Sequence, residues 1–275
     1  MNIPDNSPAL WQHALPRLKP DGSKYDRGYA VVLGGPVNST GAARLAARAA
    51  LRMGAGLVSV VCDATSLPVY AATLEAVMTK PVRDAANYGE LLHDKRITAL
   101  LLGPGAGLAE RTGEFVLTAL KSHKPCVLDA DALTVFRHSQ SMLFAAVAGP
   151  VLLTPHEGEF ARLFWEVGAR VADAHRAAKQ ANAVVLLKGS DTVIAAPDGR
   201  VVVNRAAAPQ LATAGTGDVL AGLATGLMAQ GMEVFEAACA AAWFHAEAAR
   251  RFGPGLIAED LERQIPGILR SFTGS

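Results

Sequence analysis

The 275-residue sequence has little cysteine: Cys62, Cys126 and Cys239 are odd in number, widely spaced and each set in apolar surroundings. That argues against a disulfide framework and a zinc site, and leaves buried structural thiols. An excess of one charge is also missing, since 26 Lys and Arg face 25 Asp and Glu and the basic residues are scattered rather than clustered. Nucleic acid and anionic membranes are therefore not expected partners. No long apolar run is present either. The most apolar late stretch, Val219 to Met232, falls short of the roughly 20 residues a membrane span needs and is broken by Gly222, Gly226 and Gln230. The first residues, up to Leu18, hold Pro4, Asp5, Pro8 and Pro16 with no apolar core behind a basic start, which reads as cytoplasmic rather than secretory.

What is present is a chain 51% hydrophobic and 19% charged, the composition of one domain over 1–275 with a large core. The first 25 residues or so are set apart as an N-terminal arm. Short β-branched or leucine-rich runs recur at Tyr29 to Leu33, Leu57 to Cys62, Ala99 to Leu102, Cys126 to Leu128, Val151 to Leu153 and Val184 to Leu187. Between or after them the period predicts helices over Ala42 to Met53, Arg111 to Lys121, Phe160 to Phe164, Ala172 to Asn182, Val219 to Gln230 and Val234 to Arg250. This alternation implies an α/β fold whose mostly parallel central sheet has helices on both faces. Two further runs, Thr192 to Ala196 and Val201 to Asn204, flank Pro197-Asp198-Gly199-Arg200 and predict an antiparallel hairpin at one edge.

Segments of unusual composition follow the expected strands: Gly34-Gly35-Pro36-Val37-Asn38-Ser39-Thr40-Gly41, Gly103-Pro104-Gly105, Asp129-Ala130-Asp131, Thr154-Pro155-His156-Glu157-Gly158-Glu159 and Lys188-Gly189-Ser190-Asp191. Parallel α/β sheets bind ligands at the carboxyl ends of their strands, so these loops should meet at one crevice. The strongest local signal is Ala214-Gly215-Thr216-Gly217-Asp218, leading into a small-residue helix. Glycines leave amide groups open to an anion, and a helix start adds favourable dipole charge. Gly215, Thr216 and Gly217 thus read as an anion hole, beside which the Asp218 carboxylate can take a proton from an attacking hydroxyl or simply stabilise the helix start. Other phosphate and metal motifs fail. Gly35 to Gly41 has the wrong spacing for a Walker loop, Leu108 stands where a dinucleotide fingerprint needs glycine, and Phe160 where a zinc protease needs its second histidine.

With these loops in their order, from about Gly28 to about Arg250, the chain resembles the ribokinase-like superfamily, and within it the ADP/ATP-dependent NAD(P)H-hydrate dehydratases. Ala55-Gly56-Leu57-Val58 and Leu128-Asp129-Ala130-Asp131-Ala132-Leu133 belong to the same pattern. His156 favours that branch, because related vitamin kinases usually carry Asn there. Hydroxyethylthiazole kinases typically have Cys at Asp218, and sugar kinases another Asp at Ala212. A small-molecule kinase of the hydroxyethylthiazole or sugar type is the alternative reading; a non-catalytic nucleotide sensor would not require Asp218.

The resemblance implies a three-layer fold and a repair reaction. Hydrated NADH or NADPH is phosphorylated on its ring hydroxyl, phosphate leaves, and the ring double bond returns while ADP becomes AMP and phosphate. It assigns Asp218 as the catalytic base, and Ala42, Gly105, His156 and Asp218 as contacts to the hydrated dinucleotide. Lys188, Gly189, Ser190, Asp191, Thr192 and Gly217 become contacts to the adenine nucleotide. Mg²⁺ would bridge nucleotide oxygens, with Asp129, Asp131 and Glu159 open between metal or water positioning and helix capping. ADP rather than ATP, a homotetramer, and pairing with a separate epimerase complete what the likeness implies.

Overall fold

The computed structural model describes residues 3–205 and 208–273. Nine strands form one sheet in the order β3-β2-β1-β4-β5-β6-β7-β8-β9. They are β1 Tyr29–Leu33, β2 Leu57–Cys62, β3 Met78–Pro81, β4 Ala99–Leu102, β5 Cys126–Leu128, β6 Val151–Leu153, β7 Val184–Leu187, β8 Thr192–Ala195 and β9 Val201–Asn204. Strands β1 to β7 pair in parallel and β7-β8-β9 antiparallel. The inner parallel strands are buried along nearly their whole length, because helices cover both faces; continuous apolar runs are what such strands need. All six parallel strands read from sequence lie at their expected bounds, and the hairpin forms with β8 one residue shorter. The edge strand β3 was not legible, since it is half-exposed and ends in a proline.

The helices are α1 Pro8–Trp11, α2 Gly41–Arg52, α3 Leu67–Thr73, α4 Ala85–Leu92, α5 Glu110–Lys121, α6 Asp131–Thr134, α7 Gln140–Ala146, α8 Glu157–Leu163, α9 Arg170–Ala181, α10 Thr216–Ala229, α11 Val234–Phe252 and α12 Ala258–Thr273. One buried apolar cluster lies between the sheet and α2, α10, α11 and α12; a second lies between the opposite face and α4 to α9. This is the three-layer arrangement. Of the six expected helices only α11 starts where the sequence suggested; the other five begin one to three residues earlier, α8 and α10 by the most. Helix α8 starts at Glu157 because a capping box fixes its first turn, and α10 starts at Thr216, which puts Gly217 and Asp218 inside its first turn.

Helices α2 and α10 touch through small residues. A Cβ added at Gly222 would lie 2.2 Å from the Ala46 carbonyl oxygen, and one at Gly226 2.6 Å from that of Ala50. The glycines that interrupt the late apolar run are thus the contact itself. Helices α10 and α11 are apolar nearly all round because the protomer itself buries them. Among the described residues, no helix is long and apolar enough to cross a membrane.

The N-terminal arm is docked on the domain, although its first two residues lie outside the described ones. Trp11 is fully buried against Trp243, Phe244 and Phe272. Asn6 accepts a bond from the Trp11 indole at 3.1 Å and donates to Asn204 at 2.9 Å and to the Cys239 carbonyl at 2.7 Å.

Candidate active site

The loops meet as expected at the carboxyl edge of the sheet, and they meet backbone to backbone. A Cβ at Gly35 would fall 1.9 Å from the Gly105 carbonyl oxygen, and one at Gly103, whose φ is +120°, 1.7 Å from that of Asp129. Only glycine allows either approach. Ala42, in the first turn of α2, stands over Gly105, its Cβ 3.3 Å from where a side chain on that glycine would begin. The loop after β1 is thereby locked to the loop after β4, and that loop in turn to the one after β5.

At the centre lies a cluster of buried charge. Lys188, directly after β7, donates to Asp129 Oδ1 at 2.8 Å and lies 3.7 Å from Glu159 Oε2. Burial opposes the ammonium charge, but Asp129 and Glu159 outweigh it and hold Lys188 above the ordinary lysine range. Lys188 Nζ is 3.4 Å from where a Cβ of Gly217 would stand, so the cation borders the start of α10. Asp218 sits in that first turn. Burial and then the Asp129 charge raise its pKa to about 7, Lys188 pulls it down, and Asp131 and Glu159 add to the rise. A carboxylate so poised is half-ionised near neutrality, the condition for moving a proton in either direction.

The first turn of α10 has no side-chain cap, and its N-cap is Gly215 in the left-handed region. The leading amides of the helix therefore have no partner within it. The Thr216 hydroxyl is turned away, donating to the carbonyls of Leu211 at 2.8 Å and Thr213 at 3.0 Å. What the start of α10 offers an anion is therefore its backbone amides, not the threonine side chain.

His156 holds a structural position as well as a place on the cavity wall. Its Nδ1 accepts from the amides of Gly158 at 3.0 Å and Glu159 at 3.2 Å, while the Glu159 carboxylate accepts the His156 amide at 2.8 Å. This reciprocal cap starts α8. With Nδ1 accepting, the neutral ring carries its proton on Nε2, which lies 3.4 Å from Glu159 Oε1 on an imidazole that is 54% exposed.

A cavity of about 640 Å³ opens beside Lys188 and Gly217, lined also by His156, Gly189, Ser190, Thr192, Asn204, Leu211 and His245. Asp191, expected among the nucleotide contacts, is exposed and does not line it. The three carboxylates open to a metal role are each engaged: Asp129 by Lys188, Glu159 by the His156 amide, and Asp131 by the Gly107 amide at 2.8 Å. Among the described residues, no group of three or more His, Cys, Asp or Glu is arranged to hold a metal ion by itself.

Three further residues beside the cluster and cavity escaped the sequence reading. His245 on α11 is buried, donates from Nε2 to the Thr216 carbonyl at 2.8 Å, and is kept neutral by burial, its pKa falling to about 4. Arg170 pairs with Glu157 and donates to the Leu187 and Lys188 carbonyls at 3.2 and 3.0 Å, bracing the loop after β7. Asn204, at the end of β9, faces the cavity with its oxygen held by Asn6. No local motif announces any of them, since each arrives from a distant element. At Ala130 the backbone takes φ +49° and ψ −116°, a strained turn that sends Asp129 and Asp131 to opposite tasks.

Residues 30–266 match the family model described as NAD(P)H-hydrate dehydratase. The ADP-dependent (S)-NAD(P)H-hydrate dehydratase of Xanthomonas campestris pv. campestris is 34% identical over 275 residues, covering 93% of each chain. The bifunctional NAD(P)H-hydrate repair enzyme Nnr of Salinibacter ruber is 40% identical over 92% of this chain, which spans about half of that longer protein. Among solved structures, the ADP/ATP-dependent NAD(P)H-hydrate dehydratase of Bacillus subtilis, co-crystallised with ATP and Mg²⁺, superposes with a TM-score of 0.85 at 29% identity over 99% of both chains. A hydroxyethylthiazole kinase of Pyrococcus horikoshii shares the fold alone, with a TM-score of 0.62 at 16% identity.

Proposed function

Because the chain belongs to the NAD(P)H-hydrate dehydratase family, we propose that it uses ADP to dehydrate hydrated NADH and NADPH, returning the reduced cofactors with AMP and phosphate. The observation that carries this reading is Asp218, held near pKa 7 beside Lys188 at the open amides of α10. Asp218 takes the proton of the ring hydroxyl as its oxygen attacks the β-phosphorus of ADP, and AMP departs with the bond between the phosphates. The amides of the first α10 turn and the Lys188 ammonium stabilise the charge on the transferring group. The new phosphate ester is a better leaving group than hydroxide. Its C–O bond breaks toward phosphate, a proton leaves the neighbouring ring carbon, and that electron pair restores the double bond.

The adenine nucleotide lies in the cavity bordered by Lys188, Gly189, Ser190, Thr192 and Gly217, and the hydrated ring near Ala42, Gly105 and His156. Magnesium commonly binds through one or two carboxylates, waters and nucleotide oxygens, and the donors present fit that mode better than an all-protein cage. Asp129 or Asp131 would hold it, since Lys188 engages only one carboxylate oxygen of Asp129 and the Gly107 amide only one of Asp131. When bound, the ion offsets charge on the phosphates. Relatives named bifunctional and about twice as long support pairing with an epimerase activity that supplies the usable hydrate isomer. A homotetramer in the cytoplasm is proposed on family likeness, and light scattering tests the assembly.

The deciding experiment incubates hydrated NADH with ADP or ATP and follows products by chromatography. Return of NADH absorbance with AMP and phosphate from ADP is expected. A stable phosphate ester would replace this reading with a kinase.

A further inference from the structure

The parallel part of the sheet runs β3-β2-β1-β4-β5-β6-β7, so the winding reverses between β1 and β4. Open α/β sheets bind ligands at that reversal, and folds with this strand order that bind dinucleotides place a carboxylate to accept the adenosine ribose hydroxyl. The Asp218 cluster lies on the β4 side of the reversal. Across the reversal itself opens a separate cavity of about 250 Å³, lined by Gly34 after β1, Asp63 after β2 and Ala106, Gly107, Arg111 and Phe115 after β4, among others. It is smaller than the roughly 300–1,000 Å³ of pockets that enclose a whole ligand, and suits one end of a long one. It adjoins the active site through Gly107, whose amide donates to Asp131 at 2.8 Å, and Asp131 is among the charges that act on Asp218.

Asp63 stands immediately after β2. Its Oδ1 accepts the amides of Thr65 and Ser66 at 2.9 and 2.8 Å and their hydroxyls at 2.6 and 2.9 Å. Its Oδ2 has only the Arg111 guanidinium, at 4.0 Å, among the described residues. One oxygen is therefore locked and the other is left to accept from a ligand. Burial opposes ionisation, but the bonds from Thr65 and Ser66 outweigh it and hold the carboxyl below the ordinary range. Arg111 is itself committed, donating to the Val82 carbonyl at 3.3 Å and stacked over Phe115.

We infer that this cavity receives the adenosine end of the hydrated dinucleotide and that Asp63 Oδ2 accepts its ribose 2′-hydroxyl, so that the chain favours hydrated NADH over hydrated NADPH. The inference rests on the dehydratase reading for its substrate. A 2′-phosphate would bring negative charge against the Asp63 carboxylate, which Arg111 only partly offsets.

The test titrates NADH and NADPH by fluorescence, and measures KM for both hydrates, in the wild type, Asp63→Asn and Arg111→Ala. The amide of Asp63→Asn keeps an oxygen for the Thr65 and Ser66 amides but loses the anionic acceptor. The wild type should favour NADH. Asp63→Asn should lower the NADH-to-NADPH preference by about tenfold or more, the worth of one bond to a charged group. Arg111→Ala should raise the preference, because Asp63 is then unopposed, and this second variant reads the same charge without touching the Thr65-Ser66 turn. A wild type favouring NADPH, an unchanged preference in Asp63→Asn, or no binding of either dinucleotide would overturn the inference. Selective binding without turnover would retain this subsite and remove the dehydratase reading.

Discussion

At the scale of single residues, the charge balance around Asp218 makes a signed prediction. As a base it must be ionised, so turnover should rise with pH and level off above about 7. Asp218→Asn should lower turnover by roughly 100- to 10,000-fold, the usual range for a general base, while ADP affinity stays near that of the wild type. Stability should move the other way. The folded pKa lies above the ordinary carboxylate value, so unfolding releases a proton between about pH 4 and 7 and stability falls as pH rises through that window. The asparagine variant should lack that fall and melt at or above the wild-type temperature at pH 8; a collapsed melting temperature would mean that the helix start needs its carboxylate. Lys188→Ala should shift the pH-rate midpoint upward, because Lys188 is the cation that pulls the Asp218 pKa down. It should also weaken ADP binding more than hydrate binding. Stopped-flow or steady-state rates across pH 5 to 9 read both effects.

Elements carry the next constraint, and α8 shows why a residue scan must be designed around them. His156→Ala removes a cap along with any substrate contact, at a cost of about 1 kcal/mol in stability. His156→Asn restores an N-cap acceptor but not the imidazole Nε2. If His156 touches the hydrated dinucleotide, both variants should raise its KM more than that of ADP, whereas only His156→Ala should lower the melting temperature. Equal losses for the two ligands would withdraw His156 from the substrate side. The α2-α10 contact gives the opposite sign to helix propensity. A glycine in a helix interior ordinarily gains about 1 kcal/mol on replacement by alanine, yet at Gly222 the added methyl would meet the Ala46 carbonyl oxygen at 2.2 Å. Gly222→Ala should therefore destabilise the protein in urea unfolding, and it should also lower kcat, since α10 carries Asp218 at its first turn.

For the whole molecule, the arm before β1 is part of the packing. Trp11 is fully buried among three aromatic rings contributed by α11 and α12, so Trp11→Ala should cost about 3–5 kcal/mol in chemical denaturation. The arm also reaches the cavity wall through Asn6 and Asn204. The two apolar clusters on opposite faces of the sheet share its strands, whose side chains alternate between them: Val32 and Leu101 face one, Val31 and Leu100 the other. A rigid sheet of this kind lets loops from five strand ends and one helix start hold charge at hydrogen-bond distances.

Six inner parallel strands, the edge hairpin, the order of the glycine loops and the place of Asp218 could be read without the fold, because continuous apolar runs and glycine-rich breaks are local signals. Strand β3 and helices α3, α4 and α7 are too short for a clear period, whereas α12 buries Leu261, Ile265 and Ile268 on one face at helical spacing and was legible but not read. The weaker ground was wherever a role depends on a partner far along the chain. That Lys188, 59 residues later, donates to an Asp129 oxygen is invisible in the aspartate's own tripeptide. His156 proved to be a cap at Nδ1, and His245 and Arg170 gave no local sign because each acts on a backbone carbonyl of another element. The tertiary structure alone decided the ionisation of Asp218: a pKa near 7 arises from burial and from charges on three other loops, a sum of distances that no sequence spacing contains.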